Sequence, residues 1–345
     1  MRAARFHRGT RTLVVEEVPL RAPGPLEVVV RVEACGICLS DVHLIDGTLP
    51  IALAAVTPGH EAAGVIEALG AEVVGWQAGD RVVMAGGRPC GRCVHCTRGR
   101  VDDCLAFEIM GFAYDGAWAE SVVVPAGTLT AVPDGLALEE AAILADAVAT
   151  PYAGLTERAG LGPGESVGLW GIGGLGVHAV QIARMVGAAP IIAVDPSAVA
   201  RTRALERGAD HALDPTAVDV AAEVRRLTGG LGLDLAVDLF GANAVLAEAA
   251  SCLGRRGRVL MIGLSLERIE LGPGAFFGLA SQSLLGHLGY HKRHLDQLVG
   301  LVTQGRLDVS RSITATLALD DVGQGVEQLA TKAGDPIRLV VTPNR

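Results

Sequence analysis

The sequence is poor in aromatic residues and has no excess of positive charge. Phe, Trp and Tyr make up 3% of its 345 residues, so its cores must be packed mainly from aliphatic side chains. The formal net charge is −9, which argues against nucleic acid as a main partner, because binding to phosphates requires clustered Lys and Arg.

Long apolar runs are missing as well. No stretch approaches the ~18 apolar residues needed to cross a bilayer, and the N-terminal residues 1–8 lead into charged sequence without the apolar core of a signal peptide. Cysteine is scarce, and the close spacing of most of the 7 cysteines fits metal ligation in a reducing compartment better than disulfides. We therefore expect a cytoplasmic protein with no membrane partner.

The cysteines that are present form one dense cluster, C-x2-C-x2-C-x7-C, at Cys90, Cys93, Cys96 and Cys104. Four thiolates at such spacing predict a closed tetrahedral zinc site that stabilises a loop. An iron–sulfur cluster is the alternative, but the ferredoxin run has a last gap of about three residues followed by proline. Here the last gap is longer and leucine follows Cys104.

The length favours two domains, and the pattern of predicted strands and helices changes near Gly160. Before that point, short apolar runs between Gly and Pro signals predict a β-rich unit, followed by a helical segment at Ala137–Ala149. The predicted strands are Leu13–Val15, Val28–Val32, Val65–Ala68, Arg81–Met84 and Ser121–Val124.

After Gly160, strands alternate with helices, which predicts a parallel doubly wound sheet. The predicted strands are Ser166–Trp170, Pro190–Val194, Asp234–Asp238 and Arg258–Ile262, and the helices are Val177–Val186 and Ala198–Arg207. The tail from about Leu295 is mixed, and we expect it to pack on the first domain.

A glycine-rich turn joins the first of these strands to the first helix. Its G-x-G-G-x-G residues are Gly171, Gly173, Gly174, Leu175 and Gly176, and an acid, Asp195, follows the next strand. Strand, turn, helix and acid in this order are typical of a dinucleotide site, in which the pyrophosphate meets the helix N-terminus. Asp195 favours NAD over NADP because it would repel a 2′-phosphate, although Arg201 and Arg203 close behind it would soften that preference.

Further motifs lie outside the glycine turn. Cys35-Gly-Ile-Cys38-Leu-Ser40-Asp41-Val-His43 is followed by Gly59-His60-Glu61, by Asp146 and by a tail with Arg338. Together with the four-cysteine loop and the glycine turn, they occur in the order found in the zinc-containing alcohol dehydrogenases of the medium-chain dehydrogenase/reductase superfamily. The chain resembles that family almost end to end.

The resemblance implies an α/β fold with a β-rich GroES-like catalytic domain (1–148 and 290–345) and a Rossmann NAD-binding domain (149–289). It implies two zinc ions per chain, one structural in the four-cysteine loop and one catalytic, held by Cys38, His60 and Asp146. Many members carry cysteine at the third position, where this chain has Asp146. The exchange preserves the charge balance, since zinc accepts both donors.

Roles for other residues follow from the resemblance. Asp41 would orient the ligand histidine, and Glu61 would stand beside the metal. Ser40 would take the alcohol proton, and His43 would pass it to solvent. Further expected cofactor contacts are Thr150, Arg201, Ile262, Leu264 and Arg338, the last at the pyrophosphate. Cys35 and Cys252 are expected to be buried structural thiols, and His287, His291 and His294 to be solvated or interface residues.

The expected activity is interconversion of an alcohol and its aldehyde or ketone with NAD(H), by a homodimer or homotetramer. Leu49 and Gly86 match substrate-lining positions, and Gly86 leaves room for a secondary or bulky substrate unless Phe112, Tyr114 or Trp118 fills it. Two alternatives stay open. One is a polyol, sugar or aldehyde dehydrogenase or an imine or enal reductase on the same scaffold. The other is a zinc-binding structural protein without turnover.

Overall fold

The computed structural model describes residues 1–345. The contacts divide the chain into two compact units, one formed by Met1–Ala147 with His291–Arg345 and the other by Val148–Tyr290. The C-terminal tail therefore belongs to the first unit. No helix combines the length and the apolar character that crossing a membrane requires.

The first part of unit one is mostly strand. Its elements are β1 (Arg2–His7), β2 (Thr12–Glu17), β3 (Glu27–Ile37), α1 (Leu39–Asp46), β4 (Ala55–Val56), β5 (Ala62–Leu69), β6 (Arg81–Met84), β7 (Gly87–Arg88), β8 (Glu108–Ile109), β9 (Ser121–Pro125), β10 (Leu129–Ala131) and α2 (Leu138–Ile143). A π-helical turn, Leu144–Val148, follows α2. The segment predicted as helical, Ala137–Ala149, is helical, but its second half is a π-helical turn, which is wider than an α-helix.

Unit two follows as an alternating α/β segment. Its elements are α3 (Ala149–Ala153), β11 (Val167–Trp170), α4 (Gly176–Val186), β12 (Ile191–Val194), α5 (Ala198–Glu206), β13 (His211–Leu213), α6 (Val220–Leu227), β14 (Leu233–Asp238), α7 (Asn243–Ser251), β15 (Leu253–Met261), α8 (Gly274–Leu279) and β16 (Ser283–Gly286). All six strands are parallel, in the order β13-β12-β11-β14-β15-β16. The predicted doubly wound parallel sheet is confirmed.

The chain then returns to unit one through α9 (Lys292–Thr303), β17 (Ile313–Ala318), α10 (Val322–Thr331) and β18 (Arg338–Thr342). β18 pairs antiparallel with β3, with Leu339 opposite Ile37. This extends the larger sheet of the unit, whose order is β10-β6-β5-β3-β18-β17, with β9 also paired to β3. β3 is the centre of the unit because it contacts three other strands.

The β3 sequence explains its central place. Its run of β-branched residues suits a strand that is covered on both faces. Val28, Val30 and Val32 are fully buried in one aliphatic cluster, and the intervening Val29 is 5% exposed. The strand ends at Ile37, so the next residues, Cys38 to His43, are presented at a fixed edge of a rigid sheet.

Candidate metal and cofactor sites

One cluster of metal-binding side chains lies inside unit one. Cys38 follows the end of β3, His60 lies just before β5, and Asp146 lies on the π-helical turn. The Cys38 Sγ atom is 3.1 Å from Asp146 Oδ2, and His60 Nε2 is 3.7 Å from the same oxygen. With Glu61, these side chains offer ligand atoms that all lie within 4.8 Å of one another.

The distances suit zinc. Ligand atoms around a tetrahedral zinc, bonded at about 2.0–2.3 Å, stand roughly 3.3–3.8 Å apart. The donor set is one sulfur, one imidazole nitrogen and one carboxylate oxygen, all types that zinc accepts. Cys38 and His60 are each 7% exposed, so the donors face one another in a nearly dry interior. The residues fit a three-ligand zinc site.

Asp41 lies directly behind this cluster and is fully buried. Its Oδ1 atom is 3.4 Å from His60 Nδ1, and its Oδ2 atom accepts a hydrogen bond of 2.9 Å from the Cys38 backbone N–H. Burial lowers the pKa of His60, but Asp41 and Asp146 outweigh it, and the pKa lies well above the usual value. Asp41 thus braces two of the three candidate ligands, as an outer carboxylate does for a metal-bound imidazole.

Glu61 and Arg338 form a buried ion pair beside the cluster, with Arg338 Nη1 3.1 Å from Glu61 Oε1. The Arg338 Nη1 atom also donates to the Ile37 carbonyl, 3.0 Å away, because β18 pairs with β3 at this point. Burial raises the pKa of Glu61 to about 8, although Arg338 opposes this rise. Arg338 was predicted at the cofactor's pyrophosphate. The contacts shown are at the metal cluster, and the pyrophosphate contact stays a prediction.

Ser40 and His43 lie on α1, next to the cluster. The Ser40 Oγ atom is 3.3 Å from His60 Nε2, the imidazole nitrogen that faces Asp146. His43 is three residues further along the helix, on the same face, and its side chain is 29% exposed, with Nδ1 3.6 Å from Asp46 Oδ2. The two side chains therefore lead from a buried cluster toward solvent.

The four cysteines of the loop converge at a second cluster. Sulfur–sulfur distances are 3.5 Å for Cys93–Cys96 and 4.0 Å for Cys90–Cys96, close to the ~3.8 Å expected for two thiolates on one zinc. The Cys90 N–H donates to Cys104 Sγ at 3.1 Å. Backbone N–H groups of Cys96 and Leu105 lower the pKa of Cys93 to about 6, which favours the thiolate. All seven cysteines are free thiols.

The four-cysteine loop is also tied to the start of α9. Asp102 is 3.1 Å from His291 Nδ1 and forms a second ion pair with Arg293. His291 stacks on His294, which is buried at 3% exposure and accepts a hydrogen bond from the His291 N–H. These histidines were expected to be solvated or interface residues, and His294 is not solvated, because it caps the helix from inside.

The glycine turn of unit two has the features of a phosphate cradle. Gly171 has φ +90°, a conformation that favours glycine. A Cβ atom on Gly176 would lie 2.0 Å from the Gly171 carbonyl, so only glycine lets the turn close against α4. A Cβ atom on Gly173 would meet only open space. The Asp195 Oδ2 atom accepts from the Ile172 N–H at 2.7 Å and thereby joins the turn to the end of β12.

Several other predicted cofactor residues gather near the carboxyl edge of the sheet in unit two. Thr150 and Ile262 are 4% and 6% exposed, and His287 Nε2 is 3.0 Å from the Thr150 carbonyl. A Cβ on Gly154 would touch both Ile262 and His287, so these side chains form one group. Gly174 accepts a hydrogen bond from His178 within α4, Leu175 precedes that helix, and Leu264 is 38% exposed.

The three aromatic side chains considered as substrate-limiting, Phe112, Tyr114 and Trp118, differ in their burial and in their contacts. Trp118 is fully buried in the core, and its Nε1 donates to the Gly36 carbonyl at 3.3 Å. The Tyr114 ring lies 4.2 Å from the Arg88 guanidinium. The Phe112 ring stands beside a candidate ligand, with its centroid 5.8 Å from that of the His60 ring. Of the substrate-lining candidates, Leu49 and Gly86 are both partly buried.

Two contacts escape sequence reasoning. The Glu61–Arg338 pair joins residues nearly the whole chain apart, and no local pattern predicts it. The Asp102 pairs with His291 and Arg293 also join residues far apart in sequence, 191 positions for Arg293. The one available signal was the charge of Asp102 inside the cysteine loop.

Comparison with known families agrees with this geometry. Residues 24–134 match the model of the alcohol dehydrogenase GroES-like domain, and residues 174–304 match the zinc-binding dehydrogenase model. An NAD-dependent alcohol dehydrogenase of Sulfurisphaera tokodaii is 32% identical, over 95% of this chain and 96% of its own. An NDMA-dependent alcohol dehydrogenase of Amycolatopsis methanolica is also 32% identical, over 99% and 98% of the two chains.

Solved structures show the same likeness. An alcohol dehydrogenase from Thermus sp. ATN1 superposes with a TM-score of 0.91 at 30% identity, covering 99% of each chain. A zinc-binding dehydrogenase from Sinorhizobium meliloti 1021, solved with NADP bound, gives 0.90 at 28% identity, again over 99% of each chain. From these matches, the chain belongs to the zinc-containing alcohol dehydrogenases of the medium-chain dehydrogenase/reductase superfamily.

Proposed function

We propose that this chain oxidises secondary or bulky alcohols to ketones or aldehydes, and reduces them back, at a zinc held by Cys38, His60 and Asp146. The coarser activity follows from the family: the protein is a zinc-dependent, NAD-linked alcohol dehydrogenase. The observation that carries the finer proposal is the convergence of three different zinc donors beside the Ser40 hydroxyl.

When bound, zinc would polarise the alcohol oxygen, and NAD would accept the hydride from the alcohol carbon. The chain's own residues would orient the ligands and set the charge around the metal position. Asp41 holds the His60 ring so that its Nε2 faces the metal position. Glu61 and Arg338 place an acidic side chain and a guanidinium beside the ligands, and the guanidinium offsets the negative charge of the anionic donors.

The proton of the alcohol needs a route out of the buried cluster. Ser40 Oγ, beside His60, would accept this proton and release its own hydroxyl proton, and His43, one helical turn closer to solvent, would be the final acceptor. An imidazole suits this step because it exchanges protons readily near neutral pH. A zinc-binding protein without turnover would not need this polar path, which favours the enzyme over the structural alternative.

The four-cysteine loop would hold a second, structural zinc. Support comes from four sulfurs whose mutual distances match a tetrahedral thiolate site, with no further metal-binding side chain in the cluster. We also propose that residues 1–148 with 290–345 form the catalytic domain and residues 149–289 the cofactor domain, because the chain divides into two compact units close to these bounds. The free thiols support a cytoplasmic location, and we expect a homodimer or homotetramer.

The substrate class is inferred from the wall around His60. From the family resemblance, Gly86 stands at a substrate-lining position where some relatives carry a bulky aromatic side chain. Trp118 is fully buried in the core, and the Tyr114 ring packs on Arg88. Phe112 is the aromatic side chain beside His60 and would limit the substrate from that side. A branched or aryl-substituted alcohol fits this arrangement better than a charged one, since no cationic pair faces the cluster to bind a carboxylate.

A panel of primary, secondary, aryl and polyol alcohols, assayed by NADH absorbance with and without a zinc chelator, tests the proposal. We expect secondary or aryl alcohols to give the highest kcat/KM and the chelator to abolish turnover. Preference for a polyol, an aldehyde or an enal would replace the proposed substrate class with the alternative on the same scaffold. No turnover with any substrate, despite bound zinc, would favour the structural protein.

A further inference from the structure

Unit two carries a second carboxylate close to Asp195. Asp195 follows β12 and Asp214 follows β13, and these parallel strands are neighbours, so both acids lie at the carboxyl edge of the sheet. Arg201, on α5, contacts both acidic residues. In a doubly wound sheet this edge is where the adenosine part of a dinucleotide binds.

Both terminal nitrogens of the Arg201 guanidinium contact the protein. Its Nη1 atom donates to the carbonyls of Asp195 and Pro196, both at 2.8 Å. Its Nη2 atom is 3.0 Å from Asp214 Oδ2. The arginine side chain is 21% exposed and the aspartate 24%, so the pair is partly shielded from water. Moving Arg201 elsewhere would break all three contacts together.

Asp214 is itself held in place. Its Oδ1 atom accepts from the Thr216 N–H at 2.9 Å and from the Thr216 hydroxyl at 2.6 Å. These hydrogen bonds from Thr216, with a smaller contribution from Arg201, lower the pKa of Asp214 below its usual value. With Oδ1 occupied, Oδ2 is left pointing at Arg201. The carboxylate is therefore a fixed, ionised anchor.

The two nicotinamide dinucleotides differ in charge at the adenosine 2′ position, which is a hydroxyl in NAD and a phosphate in NADP. An arginine a few residues after the β12 acid is the side chain that would bind a 2′-phosphate, since guanidinium pairs with phosphate through two donors. Here that arginine is already paired. The carboxylates of Asp195 and Asp214 would both repel the phosphate.

We propose that Asp214 is a specificity-determining positioning residue that selects NAD by holding Arg201 away from the 2′ position. The inference rests on the proposed dinucleotide-binding function of unit two. Arg201, predicted as a cofactor contact, then stabilises the loop between β12 and α5 through the carbonyls of Asp195 and Pro196. The carboxylate of Asp214 neutralises its charge.

The test is a comparison of NADH and NADPH binding, followed by nicotinamide fluorescence, for the zinc-loaded wild type and three variants. In Asp214→Asn the two Thr216 donors retain the amide oxygen, so the amide nitrogen faces Arg201 and releases it. We expect the NADPH Kd to fall on the order of tenfold, with the NADH Kd changed less than about twofold. Adding Arg201→Ala to this variant should remove most of the gain.

Asp210→Asn is the matched control. It also removes one negative charge from an Asp–Arg pair, with Arg184 at 3.5 Å, but it lies at the amino end of β12. An NADPH/NADH ratio that Asp214→Asn leaves unchanged, or shifts no more than Asp210→Asn does, would overturn the proposal. A gain that survives Arg201→Ala would also overturn it, because the carboxylate would then act directly. Failure of the wild type to bind NADH or NADPH would instead contradict the proposed function of the unit.

Discussion

Cys38, His60 and Asp146 lie in the interior of unit one, at the end of a buried strand and on a π-helical turn. The four cysteines of the second cluster lie on a partly exposed loop with short 3-10 turns. The interior cluster mixes three donor types and is braced by Asp41 and by the Glu61–Arg338 pair. The loop cluster is held by its own backbone N–H groups.

Under the proposed assignment, the two clusters would use the same metal in two ways. A cluster of four like donors has no place for a substrate, and its binding energy goes into ordering the loop. A cluster of three donors inside a rigid frame keeps one position open and fixes its geometry through neighbouring charges. The dense cysteine motif was the clearest metal signal in the sequence, yet the chemistry is assigned to the more dispersed residues.

The largest expected effect is at the interior cluster. Asp146→Asn keeps the size of the side chain but removes the charge, so we expect loss of the catalytic zinc and a fall in kcat/KM on the order of 10³-fold. Asp146→Cys is the matched variant, because it restores an anionic donor and should retain zinc and most activity. Zinc content and steady-state kinetics measure both. Full zinc and activity in Asp146→Asn would break the assignment.

Substitution of a ligand in the loop cluster should lower stability and leave kcat unchanged. Cys93→Ser removes one of four thiolates, and we expect a loss of unfolding free energy on the order of 3 kcal/mol. The folded fraction should keep its kcat, because the proposed substrate site lies at the interior cluster and not at this loop. Thermal unfolding and kinetics at low temperature separate the two readouts. A kcat loss comparable to that of Asp146→Asn, with unchanged stability, would contradict the division of roles.

His43→Ala tests the proton path that only the interior cluster has. We expect turnover near neutral pH to fall about 10²-fold, with a smaller loss at high pH, because hydroxide can replace the missing base. Bound zinc should be unchanged. His7→Ala is the control, since His7 is a partly exposed histidine on β1 that contacts Glu16. Activity of His43→Ala equal to the control across the pH range would remove His43 from the path.

Phe112→Ala tests which side of the interior cluster limits the substrate. Removing the ring beside His60 should raise kcat/KM for bulky alcohols relative to small ones by roughly tenfold, which corresponds to about 1.4 kcal/mol. Tyr114→Ala, whose ring packs against Arg88, should leave this ratio unchanged. If both variants shift the ratio equally, the loop as a whole, not Phe112, sets the limit.

The smallest expected effect is at an ion pair in unit two, away from both metal clusters. It measures how much stability is lost in acid for reasons other than loss of metal. Arg258 donates to both oxygens of Glu165 in unit two, at 3.0 and 2.7 Å, and these bonds lower the pKa of Glu165. A lowered folded-state pKa stabilises the fold above the unfolded pKa near 4.5, and that contribution is lost as pH falls through the folded value. Glu165→Gln should therefore cost about 1 kcal/mol at pH 7.

Denaturant unfolding of wild type and Glu165→Gln at a series of pH values measures this contribution. The difference between the two proteins should shrink steadily as pH falls below about 4.5. A difference that stays constant over this range would show that the carboxylate charge of Glu165 does not stabilise the fold. Any acid loss that the two proteins share can then be assigned to other groups, including the metal clusters.

Much of the fold was predictable because its signals are local. The strand before Gly171 and the helix after it, the acid after β12, and the unit-one strands β2, β3, β5, β6 and β9 followed from apolar runs and glycine turns. β1 was not predicted, because its Arg2–His7 sequence alternates charged residues with small ones. The π-helical turn was missed because a widened turn has no distinct residue pattern.

The site was predictable only as a set of residues, through the family resemblance. Cys38, His60 and Asp146 are far apart in sequence, and their approach depends on how β3, β5 and the π-helical turn pack. The position of Arg338 beside Glu61 follows from the pairing of β18 with β3, which no local pattern specifies. The sequence also could not show which of Phe112, Tyr114 and Trp118 limits the substrate. The proposal of Phe112 depends on its ring contact with His60 in the folded chain.

The most direct test of the central claim is anomalous X-ray diffraction at the zinc edge from crystals of the wild-type protein. The account predicts two peaks per chain, one about 2.3 Å from all four loop sulfurs and one about 2.0–2.3 Å from donor atoms of Cys38, His60 and Asp146. A single peak confined to the four-cysteine loop, in a protein that still oxidises alcohols, would contradict it.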